Sequence, residues 1–103
     1  MTQPVLDRDH LAQYTGGDAA LEAELFGLLS SQIEACLARL KAARADPDWS
    51  DAAHTLKGAA RGVGAMALGE ACARAESKPR DTNALAAIEA EAEKAREAMA
   101  QAG

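Results

Sequence analysis

The sequence has few of the residues that build sheets. Among 103 residues there is one Phe, one Tyr and one Trp. Only eight are β-branched: Val5, Val63, Ile33, Ile88, Thr2, Thr15, Thr55 and Thr82. Strands are made mostly from such side chains, so a β-rich fold is all but excluded. Basic excess is missing too. Eleven Lys and Arg face sixteen Asp and Glu, for a net charge of −5. Duplex nucleic acid needs a basic footprint, and an anionic membrane surface attracts one, so neither is expected as a partner. No apolar run reaches the length that spans a bilayer. The first residues, Met1 to Asp7, show neither the basic region nor the apolar stretch of a secretory leader. No CxxC pair occurs. Cys36 and Cys72 are expected as reduced thiols packed as small core residues, with a cytoplasmic location. Neither has a neighbour at metal-ligand spacing, so no metal is expected in this chain.

What is abundant is alanine, with 27 residues. With leucine, glutamate, lysine and arginine it makes up more than half of the chain, and all of these favour helix. The length allows one domain with one core, spanning 1–103. Four breaks punctuate it: Gly16-Gly17, Asp46-Pro47, Gly62-Val63-Gly64 and Lys78-Pro79-Arg80-Asp81. The segments between them predict a short helix over about 7–14 and longer ones over about 19–44, 47–63, 65–77 and 82–101.

Asp7, Asp18 and Asp46 are placed as N-caps, with Pro47 opening the third helix. Leu6, Leu11 and Tyr14 are the apolar side of the first. In the second, Leu21, Leu25, Leu28, Leu29, Ile33, Cys36, Leu37 and Leu40 recur at three and four, the strongest amphipathic signal in the chain. Trp49, Ala53, Leu56, Ala60 and Val63 form the stripe of the third. Leu68, Gly69 and Cys72 serve the fourth. Leu85, Ile88, Ala92, Ala95 and Met99 serve the fifth. Short links between long helices imply antiparallel neighbours. The expectation is an all-α, up-down-up-down four-helix bundle with a short extra N-terminal helix across one end.

One stretch of the third helix carries chemistry: His54-Thr-Leu-Lys57-Gly58-Ala59-Ala60-Arg61. At 100° per residue, Gly58 lies about 40° from His54, Lys57 about 60° the other way and Arg61 about 20° away. The four share a face turned largely to water, opposite Leu56, Ala60 and Val63. Neutral imidazole is a nucleophile near physiological pH. A phosphoryl group on its Nε2 would bring roughly two negative charges. Lys57, one turn on, is placed to screen that charge. Arg61 adds a cation suited to an acidic partner or to phosphate. Gly58 costs about 1 kcal/mol of helix propensity against alanine. In so alanine-rich a chain, that points to a need for clearance beside the imidazole. His10 has no such surroundings and is expected to be an ordinary exposed residue.

The run His54-x-x-Lys57-Gly58, followed by Gly64-Ala65, resembles the histidine phosphotransfer (HPt) domain of two-component phosphorelays. So do the Thr15-Gly-Gly-Asp18 turn and the long second helix, and the likeness covers nearly the whole chain. It implies a phosphohistidine carrier that is not itself an enzyme. His54 would accept a phosphoryl group from the phosphoaspartate of a receiver or hybrid histidine kinase and pass it to a response-regulator receiver. The Mg²⁺ and catalytic acids would belong to those partners. The chain is expected to be a stand-alone intermediate and a monomer. In several members a Gln or Glu on the next helix holds the imidazole through Nδ1, and the spacing matches Glu76. The sequence departs from the family at Ala59, where serine is common.

Three other readings compete. A helical adaptor would bind a kinase or receiver without carrying phosphate. The dimerisation bundle of a histidine kinase also exposes a histidine, but it usually has an acidic or polar residue next to it where this chain has Thr55. A small hydrolase lacks a convergent acid–base pair. Gly58 and Gly62 have GxxxG spacing without the apolar 20-mer that a membrane motif needs.

Overall fold

A computed structural model describes residues 5–102. Residues 1–4 and 103, the ends of the single domain read from the sequence, lie outside them. The described residues form five helices and no strand: α1 (Arg8–Thr15), α2 (Ala19–Ala42), α3 (Asp46–Val63), α4 (Met66–Glu76) and α5 (Thr82–Gln101).

Three helices start where an aspartate satisfies orphan N–H groups. Asp7 accepts from the N–H of His10, Asp18 from those of Ala20 and Leu21, and Asp81 from that of Ala84. The third start differs from expectation. Ala45 is the N-cap of α3, without a side-chain bond, and Asp46 is already helical. The Asp46 carboxylate pairs instead with Arg80, Oδ1 to Nη2 at 3.1 Å. Arg80 also donates to the Arg44 carbonyl at 2.6 Å, tying the α4–α5 link to the α2–α3 link. That guanidinium supplies a partner which a capping geometry would have taken from the backbone. The α2 helix also ends two residues before the expected Arg44, and α4 is one residue shorter at each end.

Leu29, Ile33, Cys36 and Leu40 of α2 meet Trp49, Ala53, Leu56 and Ala60 of α3 in the core. Leu68 and Cys72 of α4, and Ile88, Ala92 and Ala95 of α5, complete it. Each of α2 and α4 packs against both α3 and α5. No Cα of α2 comes within 8 Å of one in α4, nor any of α3 within 8 Å of one in α5. The four long helices thus sit at the corners of a square in chain order. Cys36 and Cys72 lie on opposite corners, too far apart for a disulfide, which needs Cα atoms under about 7 Å apart. Both thiols are free and buried. Burial pushes the Cys72 thiol up to about 12 and raises that of Cys36, which keeps both neutral.

Three residues assigned to the core by periodicity are outside it. Tyr14, Leu21 and Leu28 are exposed. The apolar stripe of α2 is wider than the surface that α1, α3 and α5 cover. Leu85 is half-buried. Gly62 does not break α3 but lies inside it, and only Gly64, at φ +90°, ends the helix in the left-handed region.

Gly64 also anchors the N-terminal segment. Its carbonyl accepts the N–H of Asp7 at 2.8 Å. A Cβ at this position would lie 2.7 Å from the Asp7 carbonyl oxygen, which is backbone and cannot swing away. Gly64→Ala therefore combines left-handed strain with a backbone clash. It should destabilise the fold by about 2 kcal/mol, measured by urea unfolding.

Candidate functional site

The site lies where α3 faces α4. Trp49, Ala53, Leu56 and Ala60 turn one side of α3 into the core, which forces His54 onto the opposite side. The His54 side chain is 73% exposed. Glu76 is the last residue of α4, and its Oε1 lies 3.3 Å from His54 Nδ1. The same oxygen lies 2.8 Å from Lys57 Nζ. One carboxylate oxygen therefore meets two groups that are one helical turn apart on α3.

The chemistry of the acceptor fixes the proton. The hydrogen bond and charge of Lys57 lower the Glu76 pKa, with His54 adding a smaller effect and partial burial opposing both. Glu76 is thus a carboxylate at neutral pH and can only accept. Nδ1 of neutral His54 must then carry the hydrogen, which leaves the Nε2 lone pair uncommitted. Such a bond also stabilises the ring as positive charge develops on it.

Lys57 sits differently from its expected place in water. Its side chain is only 18% exposed and is held against α4 by Glu76. The long methylene stem covers apolar surface while the ammonium reaches the carboxylate. Arg61 is exposed, and its stem crosses α4 at Gly69. A Cβ on Gly69 would lie 2.8 Å from Arg61 Cγ. The sequence marked Gly69 only as a packing residue; nothing in it tied that glycine to Arg61.

The other flank of His54 is bare. Apart from its chain neighbours and the backbone of its own helix, a Cβ on Gly58 or Gly62 would meet no atom of the described residues within 4 Å. These glycines follow His54 at one and two turns, so exposed backbone runs along α3 from the imidazole. Beside it a groove of about 340 Å³ is lined by Tyr14, Leu25, Leu28, Gly58, Ala59 and Gly62, among others. Periodicity puts Tyr14 and Leu28 on the apolar faces of α1 and α2, and the structure shows that they edge this groove and stay exposed. His54 thus has an apolar, side-chain-free flank toward α2 and a charged flank toward α4.

His10 is not the freely exposed residue expected. It is half-buried, its ring meets Tyr14 edge-on at 5.4 Å, and its Nε2 is shut off without a hydrogen-bond partner among the described residues. Among the described residues no three His, Cys, Asp or Glu side chains converge to hold a metal ion. No helix among them is long and apolar enough to cross a membrane.

The depressed Glu76 pKa has a consequence for stability. A carboxylate whose pKa is lower in the folded state stabilises fully above its unfolded pKa and loses that contribution as pH falls through the folded one. The contribution of Glu76 is therefore complete above its ordinary value of 4.5 and fades below it. Glu76→Gln should be less stable than the parent chain at pH 6, and the gap should be smaller at pH 3. Urea unfolding at both pH values checks this.

The sequence model of the Hpt domain family matches residues 24–102. No curated protein and no solved structure gives a significant match. The matched span holds the whole of α3, α4 and α5 and most of α2, and with them His54, Lys57, Gly58, Arg61 and Glu76. The chain belongs to the Hpt domain family, the helical domains of histidine phosphotransfer in phosphorelays, which interact with receiver domains and histidine kinases.

Proposed function

We propose that the chain is a phosphohistidine carrier and that His54 Nε2 is the atom that carries the group. The observation that supports this most is the pairing of an exposed imidazole with a carboxylate on Nδ1. The Nε2 lone pair attacks the phosphorus of a partner's phosphoaspartate. A P–N bond forms and the P–O bond to aspartate breaks, leaving the partner's carboxylate free. The product ring keeps its proton on Nδ1, and Glu76 offsets its positive charge. Transfer onward is the reverse exchange, with a receiver aspartate as nucleophile. Phosphoryl transfer depends largely on positioning and charge stabilisation. This chain supplies the nucleophile and its orientation, and Mg²⁺ together with the acids that bind it belongs to the partner receiver.

Lys57 and Arg61 have graded roles in this reading. Lys57 holds Glu76 in the resting state. Its ammonium lies one turn from the imidazole, close enough to turn toward a bound phosphoryl group and screen it. Arg61 offers a cation to an acidic receiver surface. The bare backbone at Gly58 lets the partner's active site approach, and the groove edged by Tyr14 and Leu28 gives it apolar surface to bury. The up-and-down course of the four long helices, which their square packing favours, sets both flanks beside His54. On this account the chain works as a monomer in the cytoplasm, where receivers operate.

The test uses receiver domains carrying radiolabelled phosphoaspartate, with the parent chain, His54→Gln and His10→Gln. Acid-labile, base-stable label should appear on the parent and the His10 variant and be absent from the His54 variant. Label on His54→Gln would remove the assignment. Binding without label on any chain would leave a non-phosphorylated adaptor. A second experiment isolates Gly58. Gly58→Gln should raise the unfolding midpoint, because glutamine is the better helix former and its Cβ meets no neighbouring side chain among the described residues. The same variant should slow transfer at least tenfold, on the order expected when reacting groups are held apart. An unchanged transfer rate would show that clearance at Gly58 is not needed.

A further inference from the structure

The weakest point of the site is the end of α4. Glu76 is the last helical residue of an 11-residue helix. Last-turn carbonyls have no helical partner, and such ends fray. Ala75 is a special case. The residue four beyond it is Pro79, which has no N–H to donate. No left-handed glycine caps this end, since Ser77 takes φ −92°.

The Ala75 carbonyl is satisfied from elsewhere. It accepts the N–H of Lys78 at 3.0 Å and the indole N–H of Trp49 at 2.8 Å. Trp49 is 2% exposed and lies on α3 five residues before His54. The bond therefore runs from the helix that carries the imidazole to the residue beside the carboxylate that holds it. It acts as a ruler between the two helices. A slip of one residue moves a helical side chain by 1.5 Å and 100°. The Nδ1–Glu76 distance of 3.3 Å already lies at the long end of hydrogen bonding, so a small shift breaks it. Lys57 cannot do this job alone. Its flexible stem would follow the carboxylate wherever α4 placed it.

We propose that Trp49 is a positioning residue for phosphoryl transfer: its indole N–H, through the Ala75 carbonyl, sets the register of α4 that holds Glu76 on Nδ1 of His54. This rests on the reading of His54 as the phosphoryl acceptor. Removing the indole donor releases the end of α4. Glu76 then keeps Lys57 and loses the imidazole.

Two chains test it. Trp49→Phe keeps an aromatic ring and deletes the donor. A chain with β-(3-benzothienyl)alanine at position 49 replaces N–H by sulfur in a ring of the same shape, and covers the case in which the phenylalanine variant folds poorly. Ile88→Ala, in the core on α5, is the control for general loosening. Long-range ¹H–¹⁵N spectra of ¹⁵N-histidine chains report the tautomer of His54, and phosphotransfer from a labelled receiver reports the rate.

Both position-49 chains should shift His54 from the Nδ1–H tautomer toward the mixture of a free imidazole. Transfer should slow about tenfold, and adding Glu76→Ala to Trp49→Phe should slow it little further, because both changes remove one interaction. A parent-like tautomer and rate in the benzothienyl chain would overturn the proposal. So would equal changes in Ile88→Ala at matched loss of stability. If the parent chain took no label at all, the reading of His54 as acceptor would fail, and the tautomer alone would still decide whether Trp49 places Glu76.

Discussion

A single carboxylate oxygen, Oε1 of Glu76, gathers the working parts of this molecule. It faces Nδ1 of His54 at 3.3 Å and Nζ of Lys57 at 2.8 Å. Those donors are spaced by one turn of α3, so one acceptor on α4 reaches both only if the two helices are close and in one register. Closeness comes from small residues. Ala53, Ala60, Gly69, Ala71 and Ala75 are buried on these two helices. Register comes from Trp49, whose indole reaches the backbone beside Glu76. The alanine-rich composition, which at first says only that the chain is helical, is therefore what lets the site exist.

The two flanks of His54 divide the labour. Toward α4 the imidazole is held by fixed charge. Toward α2 it borders backbone without side chains and an apolar groove. A net charge of −5 makes the local placement of Lys57 and Arg61 more telling, since most of the surface repels an acidic partner. In the proposed reading, a receiver would meet apolar surface on one flank and cations on the other. Neither flank requires His54 to move.

Periodicity and helix stop signals exposed most of the fold in the sequence. The five helices, the caps at Asp7 and Asp18, and the stop at Gly64 are local features, and local rules find them. His54, Lys57, Gly58, Arg61 and Glu76 were legible as a constellation because they follow helical spacing and a family pattern. What was hidden depends on distant partners. Tyr14 and Leu28 read as core because periodicity cannot tell which part of a stripe the neighbours cover. Asp46 read as a cap because Arg80, far along the chain, is its real partner. Lys57 read as a solvated lysine because its burial depends on α4. Trp49 was placed in the core correctly, but its bond to Ala75 joins residues 26 apart and leaves no trace in local pattern.

The most direct test of the central claim maps the phosphorylated atom. A chain labelled with ¹⁵N in its histidines is incubated with a phosphorylated receiver domain and followed by ³¹P and ¹⁵N spectroscopy. The account predicts one new phosphorus signal, coupled to Nε2 of His54, with Nδ1 still protonated. Phosphorus coupled to Nδ1 of His54, or to either nitrogen of His10, would contradict it.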